Sequence, residues 1–222
     1  MSKEGLTEII CVIDKSGSMS STATDAIGGF NTFIKEQKKL PGEANLTLIL
    51  FDNNCKIIHE SECLDAIVDL TDRNYIPGGG TALLDAIGLG IDKIIAKHEK
   101  TSEEECPEKV IMVVVTDGQE NSSKEYRRDV LLGKINDCRS KDWEFVFLGA
   151  DESAFSEASS MGFSASMTKG YSASTSAGVS HMYTDMSSMV KCCRAGKKAD
   201  MTSIPDVDDL DEKNSDLDNL IV

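Results

Sequence analysis

Basic charge is scarce in this chain: 23 Lys and Arg stand against 38 Asp and Glu, a formal balance of −15. A protein so acidic lacks the electrostatic footprint that a phosphate backbone requires, which argues against nucleic acid as a partner. Part of the excess lies in residues 199 to 222, where eight acids face Lys213 alone, yet the remainder is acidic in its own right. No apolar run is long enough to cross a bilayer, and Leu6 to Ile13 is too short and too early for a signal-peptide core, so a soluble, cytoplasmic protein is expected. The seven cysteines show no C-x-x-C spacing, which leaves a disulfide framework or zinc site unsupported and favours a reducing compartment. The three histidines, His59, His98 and His181, are dispersed, and none is a strong ligand candidate. Aromatics make up only 5%, but 222 residues with 40% hydrophobic content can still bury one sizeable core.

What is present is the wording of buried strands. Ile9, Ile10, Cys11, Val12 and Ile13 form a continuous apolar run, as in strands of parallel sheets covered by helices on both faces. Val110 to Val115 is a second such run, and Leu46 to Phe51, Lys56 to His59 and Trp143 to Leu148 read as further strands. Asp52-Asn53-Asn54 has hairpin-turn chemistry and predicts one antiparallel strand at a sheet edge. Apolar residues at three- and four-residue intervals predict helices between them. One carries Ile27, Phe30 and Ile34 after possible N-caps at Ser20, Ser21 and Thr22, and Pro41-Gly42 ends it. The next carries Leu84, Ile87, Ile91, Ile94 and His98, with Thr81 at its N-cap, and a third runs from about Ser123 to Ser140. Residues 61 to 76 read as irregular, with one helical turn around Leu64 to Ile67.

Beyond Gly149, Ser153 to Ser160 reads as a short helix and Gly162 to Met167 as a final edge strand. Val179, Met182, Met186, Met189 and Cys193 mark a last helix whose apolar stripe is core packing. The alternation predicts an α/β fold: a doubly wound, mostly parallel sheet with one antiparallel edge strand and helices on both faces. The domain is expected over residues 1–195. Residues 196–222 read as an acidic tail in which low hydrophobicity and like charge predict disorder, with Leu220-Ile221-Val222 an unstructured terminus or a short docking peptide.

The candidate site follows the first strand. In open α/β sheets ligands bind beyond the carboxyl ends of the strands, and Asp14-Lys15-Ser16-Gly17-Ser18 leaves such an end. A carboxylate and two hydroxyls at alternate positions, with Gly17 letting the chain curl, present hard oxygens suited to Mg²⁺, Mn²⁺ or Ca²⁺. Thr81, after Pro77-Gly78-Gly79-Gly80, and Asp117-Gly118, after Val110 to Val115, reach the same edge. Each residue taken singly also has a structural reading: turn-shaping for Asp14 and Asp117, helix capping for Ser16, Ser18 and Thr81. Glu120 and Asn121 read as solvated loop residues, with support of a metal shell or contact with a partner as the alternatives.

Asp14-x-Ser16-x-Ser18, Thr81 after a glycine-rich loop and Asp117-Gly118 together resemble the metal-ion-dependent adhesion site of von Willebrand factor A domains. The resemblance covers roughly residues 5 to 150, and its wording is most similar to stand-alone bacterial and phage members. It implies a Rossmann-like fold and a divalent cation, Mg²⁺ or alternatively Mn²⁺ or Ca²⁺. Ser16, Ser18 and Thr81 would coordinate it through hydroxyls, with Asp14 and Asp117 acting directly or through water. A cation held mainly by neutral hydroxyls stays under-neutralised and seeks an outside carboxylate, so the implied function is a non-enzymatic protein-binding module completed by a partner's Asp or Glu. Ring ATPases or kinase and phosphatase systems are the partners that the bacterial branch implies. The competing reading is a Mg²⁺-dependent phosphotransferase or phosphatase of the haloacid-dehalogenase kind with Asp14 as nucleophile. It lacks the second acid such enzymes place at the position occupied here by Ser16. A nucleotide site at Gly78-Gly79-Gly80 is unsupported, since no Gly-Lys-Ser/Thr follows.

Overall fold

The computed structural model describes residues 2–150 and 152–204. Six strands, β1 (Lys3–Asp14), β2 (Ala44–Phe51), β3 (Cys55–Cys63), β4 (Pro107–Thr116), β5 (Glu144–Gly149) and β6 (Thr168–Gly170), form one sheet of order β3-β2-β1-β4-β5-β6. Only β3 is antiparallel, and it lies at an edge, as the hairpin chemistry predicts. Side chains alternate across a sheet, and the two cores obey that period residue by residue. Ile9, Cys11 and Ile13 meet Leu46, Leu48 and Leu50 and Ile111, Val113 and Val115 in one core. Ile10 and Val12 meet Ile49, Phe51, Met112 and Val114 in the other. Helices α1 (Ala23–Gln37) and α5 (Ser176–Arg194) cover the first face, and α2 (Leu83–His98), α3 (Arg128–Arg139) and α4 (Glu152–Ser160) the second. Because β1 is buried on both faces from Leu6 to Asp14, its sequence reads as a continuous run and not as an alternation. The predicted doubly wound α/β sheet is the observed fold.

Connections from β1 run toward β2 and those from β4 toward β5, so the sheet reverses its winding between two neighbouring strands. Ile13 pairs with Val115, which sets Asp14 beside Thr116 at this switch point. Such a crevice is where an open α/β sheet binds its ligands.

Several boundaries differ from expectation. The third helix starts at Arg128, not near Ser123, because carboxylates capture the intervening backbone: Asp85 accepts from the N–H groups of Lys124, Glu125 and Tyr126, and Glu120 from those of Ser122 and Ser123. Neither Thr22 nor the residue before α2 caps its helix by side chain, and the α2 N-cap is Ala82 in place of Thr81. The N–H groups of Leu84 and Asp85 are met instead by the Glu120 carboxylate and the Ser123 hydroxyl from a distant loop. The final edge strand is three residues at Thr168–Gly170, and Ala165–Met167 before it is a 3₁₀ turn. The stripe of Val179, Met182, Met186, Met189 and Cys193 is buried core.

Some residues expected in the tail pack on the domain. Ala199 and Met201 are buried against the domain, and the Ala199 N–H donates to Glu144 at 2.9 Å, so residues 198–204 are part of the body. Residues 205–222, including the terminal Leu220-Ile221-Val222, lie outside the described residues. Among the described residues all seven cysteines are free thiols, and no helix is long and apolar enough to cross a membrane.

One buried acid lies away from the site. Glu8, fully buried, accepts from Thr47 at 2.9 Å and from Ser61, whose hydroxyl also receives Lys97. Burial raises its carboxyl above the usual range, against the lowering effect of the Ser61 and Thr47 hydrogen bonds and the Lys97 charge. In the window above the unfolded value the native state therefore holds more protons than the unfolded chain, and stability declines as pH rises through that window. We expect Glu8→Gln to flatten this decline, measured as urea unfolding free energies between pH 5 and pH 8. An unchanged slope would show that the Lys97 charge fully offsets the burial.

Candidate functional site: five residues from three segments at the sheet switch point

Asp14 ends β1 with no solvent exposure, and both its oxygens are engaged. Oδ1 accepts from the Ser16 N–H at 2.6 Å and Oδ2 from the Thr116 hydroxyl at 2.6 Å, while its backbone carbonyl receives the Tyr75 hydroxyl at 2.6 Å. The first of these bonds curls the loop and turns the Ser16 and Ser18 hydroxyls to within 3.1 Å of each other. Ser18 then donates to the Asp117 carboxylate at 2.7 Å, which joins the β1 loop to the β4 loop. Thr81 comes from the third segment. A side-chain carbon placed on Gly118 would lie 3.2 Å from the Thr81 Oγ1, so that hydroxyl faces the Asp117-Gly118 turn directly. Asp14, Ser16, Ser18, Asp117 and Thr81 thus converge from three separate stretches of sequence.

The Pro77 to Thr81 loop is held by its neighbours' backbone. Gly17 N–H donates to the Gly79 carbonyl at 3.1 Å and Gly78 N–H to that of Lys15 at 2.9 Å. Gly79 has φ of +71°, a left-handed conformation that a side chain would strain. Asn121 Oδ1 accepts from the Thr81 N–H at 2.8 Å and returns its own N–H to the Thr81 carbonyl at 3.1 Å. Asn53 Oδ1 accepts from the Gly80 N–H at 2.7 Å. Glu120 is half-buried and Asn121 is an exposed loop residue, and both also fix neighbouring backbone, Asn121 at Thr81 and Glu120 at the start of α2. Asn53 and Asp85 went unread as site residues, and a hairpin turn and a helical acid give no local sign that they bind loops distant in sequence.

The electrostatics suit a cation. Burial pushes the Asp14 carboxyl up to about 6, and the neighbouring Asp117 charge adds to the rise, while hydrogen bonds from Thr116 and Ser16 oppose it. Lys15 is turned away into an ion pair with Asp52. Two carboxylates and three hydroxyls meet at one edge. Among the described residues no three His, Cys, Asp or Glu side chains cluster as metal ligands, so an ion here would rely on the hydroxyls. Such an oxygen set suits a hard divalent cation.

The family model of the von Willebrand factor type A domain matches residues 8–189. The chain belongs to this family. None of the curated proteins compared matches the sequence. Among solved structures, this von Willebrand factor A domain is similar to the PilB minor pilin of Streptococcus sanguinis, with 12% identity and a TM-score of 0.62, covering 86% of this chain and 62% of that one. It is also similar to proximal thread matrix protein 1 of the mussel byssus with a zinc-occupied MIDAS motif, at 17% identity and TM-score 0.55, covering 84% and 46%. The manganese-loaded TRAP protein of Plasmodium vivax matches at 14% identity and TM-score 0.53, covering 76% and 69%. These likenesses establish the fold, and the chain spans 62% of the length of the PilB structures.

Proposed function

We propose that this von Willebrand factor A domain is a divalent-cation-dependent protein-binding module without catalytic activity of its own. The Ser16, Ser18 and Thr81 hydroxyls and the Asp14 and Asp117 carboxylates hold the ion, directly or through water, and a partner's Asp or Glu completes it. The observation that carries this reading is the Ser16, Ser18 and Asp117 oxygen chain at 3.1 and 2.7 Å, closed on its far side by Thr81. Mg²⁺ is the ion of choice, because it prefers hard oxygens and keeps open positions filled by water or an outside ligand. Mn²⁺ and Ca²⁺ share that oxygen preference. Free thiols on all seven cysteines suit a reducing, intracellular setting.

The phosphotransferase alternative asks Asp14 to attack a phosphoryl group. Its zero exposure and two engaged oxygens speak for a positioning role. The test is capture from host extract on immobilised protein. Proteins retained with Mg²⁺ should be lost with EDTA and absent from an Asp117→Ala bait. Identical capture under all three conditions would reject the metal-completed interface.

A further inference from the structure

The loops around the candidate site differ in charge from the chain as a whole. Residues 15–22, 52–54, 71–81 and 117–127 make up the site beyond Asp14 and the loops bonded around it, and apart from Asp117 they carry four acids and four bases. A divalent ion offsets Asp14 and Asp117, which leaves this face neutral on a chain of net charge −15. An acidic partner is repelled by the body and meets no such barrier here. Some of these charges are already committed within the protein, Lys15 to Asp52 and Glu120 to the N–H groups of Leu84 and Ser123. Arg73 is exposed, and among the described residues it engages no carboxylate.

The same face holds one large exposed aliphatic side chain. Ile76 is 64% exposed and belongs to neither core, yet its backbone is fixed on both sides. Tyr75 before it is buried, and its hydroxyl donates to the Asp14 carbonyl at 2.6 Å. Pro77 after it has a locked φ, and the Gly78 N–H donates to the Lys15 carbonyl at 2.9 Å. An aliphatic group anchored at the rim of the β1 loop has its backbone ordered before any partner arrives, which lowers the cost of covering it. Spacing follows from the same loop. The Gly17 N–H, between the two site serines, donates to the Gly79 carbonyl at 3.1 Å. Ile76 lies three residues before Gly79 and Arg73 three residues before Ile76, so each step is at most about 11 Å, the reach of three extended residues in a bound peptide.

We propose that the partner offers an acidic, aliphatic segment: one carboxylate completes the ion, a Leu, Ile, Val or Met within three residues of it covers Ile76, and a second acid beyond that residue pairs with Arg73. This rests on the metal-completed interface above and specifies what must flank the ligating acid. A carboxylate alone is common to every acidic surface, so the contacts beside it are what select a partner. Of the two, the apolar contact contributes more, because an exposed ion pair is weakened by water and salt.

Selection from random dodecapeptides displayed on phage tests this, with the full chain immobilised in Mg²⁺ and bound phage eluted with EDTA. On the parent, enriched peptides should carry Asp or Glu, an aliphatic residue one to three positions away and a second acid beyond it. On Ile76→Ser the aliphatic preference should fall to the level of the library while the ligating acid persists, and on Arg73→Gln only the second acid should be lost. A synthetic peptide of the enriched sequence should bind Ile76→Ser about tenfold and Arg73→Gln about threefold more weakly than the parent. Calorimetric Mg²⁺ affinity should be the same in both variants as in the parent, since neither residue is among the five of the site. The proposal is overturned by peptides selected for acids alone, by preferences unchanged on either variant, or by no enrichment from a parent that still takes up Mg²⁺. Enrichment that EDTA does not release, or that persists on Asp117→Ala, would instead overturn the metal-completed interface itself.

Discussion

Asp14→Asn should make the metal-free protein more stable while abolishing its response to metal. In the parent, burial and the Asp117 charge hold the Asp14 carboxyl near 6, well above the usual value of 3.8. At neutral pH the folded protein thus keeps ionised a group that resists ionisation, at a cost on the order of 2–3 kcal/mol. Asparagine removes the charge and keeps the bonds. Its carbonyl can accept from the Ser16 N–H, and its amide can donate to the Thr116 hydroxyl, which turns to the Gly118 carbonyl 3.2 Å away. Thermal melts in EDTA should show a rise of several degrees for the variant. With Mg²⁺ at 100 times its dissociation constant the parent should gain about 2.7 kcal/mol and the variant nothing. A variant destabilised in EDTA, or stabilised by Mg²⁺ as much as the parent, would contradict this account of the site.

The second large effect lies in the packing of α1 on α5. Gly29 lies against the buried Tyr183 ring, and a methyl group there would fall 2.2 Å from Cδ2. All three nearest atoms belong to the buried ring, so Gly29→Ala must displace the Tyr183 side chain or push the helices apart. The expected loss is about 2–3 kcal/mol. Gly28, its neighbour on the same helix, has nothing within 4 Å, and Gly28→Ala should stabilise by up to about 1 kcal/mol through helix propensity alone. Urea titrations of this pair isolate the contact, because both changes add the same methyl to the same helix. Similar effects at the two positions would show that Tyr183 is not firmly packed.

The fold was legible wherever burial on both faces forced a continuous apolar run, as in Ile9 to Ile13 and Val110 to Val115, or a single buried face forced helical spacing, as in α2 and α5. It was illegible where side chains distant in sequence decide local backbone. Ser123 to Arg127 carries helix-compatible residues, but Asp85 and Glu120 take their N–H groups. The packing of Ala199 and Met201 was hidden because two apolar residues in a polar stretch give no periodicity. The convergence of the five candidate residues was legible because oxygen-bearing side chains spaced at fixed intervals after strand ends leave a pattern within each loop. Asn53, Asp85, Glu120 and Asn121, which hold the loops together, accept hydrogen bonds from backbone N–H groups of loops distant or irregular in sequence and leave no such pattern.

Calorimetric titration of Mg²⁺ into the full chain, and into Ser18→Ala, Thr81→Ala and Asp117→Ala, tests most directly whether three distant segments share one ion. One site per molecule is predicted in the parent, with affinity reduced at least about tenfold in each variant, corresponding to about 1.4 kcal/mol. Parent protein that takes up no ion, or variants from all three segments that bind as tightly as the parent, would contradict it.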